Sequence, residues 1–316
     1  MEYKKLGLAD ITVSELCFGL LPMGPIQANI SSQEGGALIR HALEMGINFI
    51  DTAELYGTYE HILRGTHGFP REVVIASKSA ASDYKGMEDA IQGALKALKR
   101  DAIDIFHLHA ARADTDVFNE RGDALQCILD YKQKGHVRAT GIATHNVKVA
   151  ELASTVPEID IVHPLINKSS RGIVNGTAAD MAKAIEKCHA AGKGLYAMKA
   201  LAGGNLVGEL LEAVSFVRNT KGIHSIAVGM IRKEELELNL KIFNGDVITF
   251  DMLSKLKNTK KIFVRDSLCE KCCICIDACP NSALHLGNEN IEVDHGKCIL
   301  CGYCYPACPQ FAIRLI

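Results

Sequence analysis

"MEDAIQGALKALKRDAIDIFHLH", residues Met87–His109, holds the pattern that decides the fold. Ala90, Ile91, Ala94, Leu95 and Leu98 recur three and four apart, the spacing of an amphipathic helix. After the charged stretch Lys99–Asp101, the run "IDIFHLH" is short and mostly apolar. That is the signature of a strand buried on both faces, as in a parallel sheet.

The unit repeats along the chain. From Leu16 onward the apolar runs are "LCFGL", "INFIDT", "VVIASK", "IDIFHLH", "VRATGIA", "IDIVHPLI", "GLYAMKA" and "HSIAVGM", eight in all, separated by helical segments. Alternation of strand and helix predicts an α/β fold with a parallel sheet, and eight units predict a closed (β/α)8 TIM barrel. A doubly wound open sheet is the alternative, but no G-x-G-x-x-G follows the first strand. The barrel is assigned to residues 1–245 and a linker to 246–264, in which "DMLSKLKNTKK" is expected to be helical.

From Cys269 cysteine dominates. "CEKCCICIDACP" (Cys269–Pro280) has the spacing C-x2-C-x2-C-x3-C-P, and Cys298, Cys301, Cys304 and Cys308 repeat it, again ending in Cys-Pro. A duplicated fold is the simplest cause. Two-residue gaps let three thiolates meet one face of an iron-sulfur cubane, while the fourth cysteine of each run reaches the other cluster. Cys269, Cys272, Cys275 and Cys308 are therefore assigned to a first [4Fe-4S] cluster, and Cys298, Cys301, Cys304 and Cys279 to a second. Residues 265–316 resemble bacterial two-cluster ferredoxins, a small α+β iron-sulfur domain. Paired zinc sites are the alternative, but zinc usually takes C-x2-C pairs separated by a longer loop. Cys273, a ninth cysteine in the tail, is given no role.

Composition is consistent with this outline. The chain has 316 residues, net charge −2 and 23% charged residues. That charge gives no reason to expect nucleic acid. No apolar run approaches about 18 residues, so no membrane span is expected. The start "MEYKKLGLAD" lacks the apolar block of a signal peptide. A cytoplasmic location is expected, where clustered cysteines are metal ligands rather than disulfides.

Active sites of such barrels collect where strands end at the C-terminal face. Asp51 ends "INFID", Tyr56 follows in the loop, Lys78 ends "VVIASK" and His109 ends "IDIFHLH". A lysine closing an apolar strand needs a partner, and Asp51 is the natural one. A tyrosine beside that ammonium is expected to have a lowered pKa and to exchange a proton near neutral pH. A neutral imidazole beside it would orient a carbonyl oxygen. Taken singly each residue has a structural explanation; the conjunction suggests hydride transfer. His107, His109, His145 and His163 also permit a metal-dependent hydrolase, but that leaves the Asp-Tyr-Lys set unexplained.

"NFIDTAELYGTYE", "VIASK", "IDIFHLH" and the N-terminal "YKKLGLADITVSELCFGLLPMG" resemble the aldo-keto reductase family over roughly residues 1–245. The resemblance implies Tyr56 as general acid, Asp51 and Lys78 as its tuning pair, and His109 as the group that orients a small carbonyl or alcohol substrate. It also implies NADP or NAD across the barrel mouth. The matching cofactor positions are Thr144 after strand five, His163 after strand six, Met198 where an aromatic stacks on the nicotinamide, and Gly229, Met230, Arg232 and Asn239 around strand eight. Several depart from the family pattern. Ala143-Thr144 replaces Ser-Asn, His163 replaces a glutamine, and Gly229 and Glu235 stand where basic residues often grip a 2′-phosphate, leaving Arg232 and Lys233 as the basic candidates.

Three functions follow. The chain is an aldo-keto reductase-type oxidoreductase whose two clusters transfer electrons, with a redox partner protein; or an iron-sulfur electron carrier or redox-complex subunit whose barrel no longer uses NAD(P)H; or a barrel stapled by clusters. Two complete cluster motifs argue against the third. The ferredoxin module or its linker is expected beside the barrel mouth, with "HAARADTDVFNER" (His109–Arg121) as another wall.

Overall fold

The eight apolar runs all become strands. The structure, a computed structural model, describes residues 1–111, 113–254, 262–310 and 312–315. It opens with a short antiparallel hairpin, β1 (Tyr3–Lys5) and β2 (Thr12–Ser14), which the periodicity of the sequence does not announce. The barrel follows: β3 (Leu16–Gly19), β4 (Phe49–Asp51), β5 (Val74–Ser79), β6 (Ile103–His109), β7 (Val137–Thr144), β8 (Ile161–Pro164), β9 (Gly194–Met198) and β10 (Ser225–Gly229). All neighbours are parallel, and β10 closes the ring on β3, with Ile226 opposite Leu16.

Helices form where the sequence supplies an apolar stripe and a cap. Tyr84–Leu98 starts on Asp83, whose side chain accepts from the Gly86 amide, and buries Met87, Ala90, Ile91, Ala94 and Leu98. Ser32–Glu44 and Ala178–Ala190 start with capping boxes on Ser31/Glu34 and Thr177/Asp180. Each such cap contributes about 1 kcal/mol. Among the described residues no helix is long and apolar enough to cross a membrane.

One end of the barrel is plugged. Leu6, Ile11 and Val13 of the hairpin region pack with Phe49, Val74, Ile105, Ala139, Ile161 and Tyr196. These barrel residues lie at or near the starts of their strands, so access is left to the C-terminal face.

The tail forms two small antiparallel sheets. β11 (Ile262–Val264) pairs with β14 (Ile313–Leu315), and β12 (Leu284–Leu286) with β13 (Ile291–Val293). Each cysteine run carries a short helix, Ile274–Asp277 and Cys304–Ala307, the local structure expected of a duplication. Of the helix expected at "DMLSKLKNTKK", Phe250–Ser254 is present and residues 255–261 lie outside the described residues.

The tail seats on the barrel through its second cysteine run. Arg171 Nη1 donates to the carbonyls of His295 (3.1 Å) and Cys298 (3.3 Å), Asn205 Nδ2 to Cys298 (3.3 Å) and Gln27 Nε2 to Leu300 (3.3 Å). Two glycines permit this approach. Gly203 has φ +71°, and a Cβ there would fall on the Ile299 carbonyl. Gly302 has φ +81°, and a Cβ there would lie 2.6 Å from the Ile26 oxygen. Both conformations are costly for any residue with a Cβ. Gly203→Ala is therefore expected to loosen the seat. Amide hydrogen exchange across Cys298–Tyr303 should rise while β5 and β6 keep their protection; an unchanged exchange pattern would contradict the contact.

Candidate active site and cluster-binding module

Asp51 and Lys78 meet because β4 and β5 are neighbours, with Asp51 paired to Ala76 two residues before the lysine. Lys78 Nζ donates to Asp51 Oδ1 (2.8 Å), Asp51 Oδ2 (2.7 Å) and the Thr52 carbonyl (2.6 Å). Lys78 is 1% exposed. A buried ammonium with three oxygen acceptors is satisfied, which a buried charge requires. Tyr56 sits on the turn Glu54–Tyr56 just after β4, with its ring face 5.1 Å from Lys78 Nζ and its ring edge-on to His109 at 6.1 Å. Sequence thus placed Asp51, Tyr56, Lys78 and His109 apart in the chain, and the fold brings all four together.

A fifth group stands between them. Tyr303, from the second cysteine run, bonds to the Tyr56 hydroxyl, and its own hydroxyl lies 3.1 Å from His109 Nε2. An oxygen atom from the tail therefore occupies the point on which both Tyr56 and His109 converge. The expected position of the tail beside the mouth is observed. Of His109–Arg121, Arg121 Nη1 donates to the His109 carbonyl at 3.1 Å and Arg112 lies outside the described residues.

The protonation picture corrects one expectation. Burial pushes the Tyr56 hydroxyl well above its usual pKa, and Tyr303 and Asp51 add to this. Burial outweighs the nearby Lys78 ammonium, which faces the ring rather than the hydroxyl. His109 is pushed down to about 3 by burial, with Lys78 contributing, so its imidazole is neutral as expected. His107 and His163 are lowered for the same reason.

The cysteines fall into two groups. Cys269, Cys272, Cys275 and Cys308 line one pocket, together with Cys273, whose Sγ contacts the Lys271 carbonyl. Cys279, Cys298, Cys301 and Cys304 line another. Each cavity takes three cysteines of one run and the fourth of the other. Among the described residues no three cysteine, histidine or carboxylate side chains converge on a single-ion site. A tetrahedral zinc would need its sulfurs about 2.3 Å from one centre. Four cysteines around each pocket, at two-residue gaps, are the donor set that an iron-sulfur cluster takes.

The profile of the Aldo/keto reductase family matches residues 15–221, more than half of the chain. The chain belongs to the aldo/keto reductase family. A 4Fe-4S binding domain profile matches residues 291–314, which contain the second cysteine run. An uncharacterized oxidoreductase of Bacillus subtilis is 26% identical over 159 residues, covering 46% of this chain and 49% of its own. An aldo-keto reductase of Mycolicibacterium paratuberculosis is 30% identical over 155 residues, covering 45% of this chain and 54% of its own. The chain thus spans about half the length of these curated relatives. In fold it is similar to an aldo-keto reductase of Bacillus halodurans in its holo form, with TM-score 0.65, 18% identity and coverage of 82% of this chain and 97% of that one.

In this aldo/keto reductase the residues matched to nicotinamide contacts do not form one open groove. Met198 is half-buried and packs on Leu165, Ile299 and Cys301, so the tail partly covers it. His163 is 1% exposed; its Nδ1 bonds the Tyr196 carbonyl at 2.6 Å and its Nε2 lies 3.7 Å from Asp51. Thr144 is fully buried and accepts from the Asn146 amide. Met230 is 1% exposed, whereas Gly229 is exposed. Arg232 is held by Glu235 at 2.8 Å, which competes for it against any phosphate. Asn239 donates to the Glu235 carbonyl and leaves its buried Oδ1 without a partner. At the adenine end Arg232 and Lys233 are exposed, and at the nicotinamide end the tail partly covers Met198.

Three residues of the site escaped the sequence reading. Tyr196, inside "GLYAMKA", donates to Asp51 Oδ2 at 2.8 Å, bonds His107 Nε2 at 2.7 Å and stacks on His163 at 3.8 Å. A tyrosine in the middle of an inward-facing apolar run was the available signal, since a buried phenol needs a partner. Lys199 follows β9 with its ammonium sealed near the second cavity. Tyr303 hides inside the motif "CGYC", where only the cysteines attract attention.

Proposed function

We propose that this protein is an oxidoreductase of aldo-keto reductase type, acting on a small carbonyl compound or the matching alcohol, with two [4Fe-4S] clusters for electron transfer. The observation that carries this is the oxygen of Tyr303 seated between Tyr56 and His109. It marks a point where a carbonyl oxygen would receive a proton from Tyr56 and an orienting hydrogen bond from neutral His109. Asp51 and Lys78 hold Tyr56 in place and fix the local charge, and Tyr196 anchors Asp51 from beneath. Tyr303 must withdraw for substrate to enter.

The clusters, when bound, supply single electrons; Cys269, Cys272, Cys275 and Cys308 would hold one, and Cys298, Cys301, Cys304 and Cys279 the other. A nicotinamide would supply hydride, but the residues matched to its ring do not fit it while Ile299 and Cys301 partly cover Met198. That cover favours a second reading, an electron-transfer protein or redox-complex subunit whose barrel does not use NAD(P)H.

Anaerobic titration of the cluster-loaded protein with NADH and NADPH, on wild type and on Tyr303→Ala, separates the two. The first reading expects nicotinamide binding and aldehyde or ketone turnover, both stronger in Tyr303→Ala. Absence of binding by either protein, with reversible cluster reduction by a chemical donor, would sink it in favour of the second.

A further inference from the structure

We infer that Lys199 is the charge partner of the second cluster and holds its reduction potential up. The inference rests on the reading that the second cavity takes a [4Fe-4S] cluster. Lys199 stands just past the end of β9, facing the seat of the tail. Its Nζ is buried and has no hydrogen-bond partner. Its backbone is left-handed, with φ +59°, a conformation that favours glycine. A strained backbone position that carries an unpaired buried ammonium costs stability twice over.

The surroundings indicate what offsets that cost. Cys301, Cys279 and Cys298 of the second site lie within electrostatic reach of Lys199. The Tyr303 ring is 5.7 Å away. Of the other cations, Lys78 is paired with Asp51, and Arg171, which also acts on Cys298, donates to the His295 and Cys298 carbonyls. A cluster held by four thiolates is negatively charged, and it becomes more so on reduction. A cation beside it in a low-dielectric seat favours the reduced form.

Among the described residues the lining of the first site includes Glu270 and Gln310 and no lysine or arginine, and Cys272 is exposed. Exposure alone makes that cluster easier to reduce, because water stabilises added charge. The second site is sealed against the barrel, and burial by itself would make its cluster the harder of the two to reduce. Lys199 counteracts this, so electrons entering at the exposed cluster can move on to the one beside Tyr303.

The test is a potentiometric titration of reconstituted full-length protein followed by electron paramagnetic resonance. Cys308→Ser protein, retaining the second cluster, assigns the signals. Lys199→Met is expected to lower the second cluster's potential by at least a tenfold change in its reduction equilibrium, about 59 mV for one electron, and to leave the first cluster unchanged. Lys199→Arg should keep most of the wild-type value. Loss of the second cluster from Lys199→Met with its retention in Lys199→Arg would also support the pairing. A Met variant whose two potentials match wild type, or shift together, would overturn the inference. Wild-type protein that binds iron for one cluster alone would instead overturn the two-cluster reading beneath it.

Discussion

Tyr56→Phe is expected to lower carbonyl turnover by about 10²- to 10⁴-fold, the range for loss of a positioned proton donor. The substitution keeps the ring that packs with Ile26 and Ala53 and covers Lys78, so fold and cluster content should be unaffected. Only the hydroxyl disappears, and with it the group facing His109 across the Tyr303 oxygen. The measurement is anaerobic steady-state reduction of small aldehydes and ketones, with iron content as the control for integrity. Turnover within a few-fold of wild type would remove Tyr56 from the chemistry. The raised pKa of Tyr56 gives a companion sign: the hydroxyl stays protonated through neutral pH, so it is a donor rather than a base in the closed arrangement.

The second large effect concerns the tail. Cys308→Ser should abolish the first cluster and spare the second, although Cys308 belongs to the second run. Cys279→Ser should do the reverse. The basis is the lining of the cavities, in which Cys275 lies near the sulfurs of Cys308, Cys269 and Cys272, and Cys304 near those of Cys301, Cys279 and Cys298. Iron per chain should fall by about half in each variant, with a different magnetic resonance signal surviving. If Cys308→Ser instead lost the cluster held by Cys298, Cys301 and Cys304, the two sites would be uncrossed.

Much of this was written in the sequence because it depends on period and spacing. The eight strands were legible because parallel strands between helices are apolar on both faces, and the cysteine spacing repeats in one register. The hairpin β1–β2 was not, since three-residue strands carry too few residues to show alternation. Asp51, Lys78 and His109 were legible as polar groups closing apolar runs. Tyr303 and Lys199 were not, because their meaning arises only when the tail docks on the barrel, and no local pattern encodes a contact between residues so distant in the chain. The pKa of Tyr56 was misjudged for a related reason: the sequence shows a cation nearby, but not that it is already paired or that burial outweighs it.

The crossed lining of the two cavities has a consequence for biosynthesis. On the proposed assignment the first site would draw three ligands from Cys269–Cys275 and its fourth from Cys308, and the second would need Cys279 from the earlier run. An emerging chain that has exposed only the earlier run offers an incomplete cage, and iron delivered at that stage would meet an open, oxidisable thiol cluster. Neither cage would close until the chain had been translated through Cys304 and, for the first, through Cys308. Metal insertion would thereby be deferred until after the barrel that receives the tail has been synthesised.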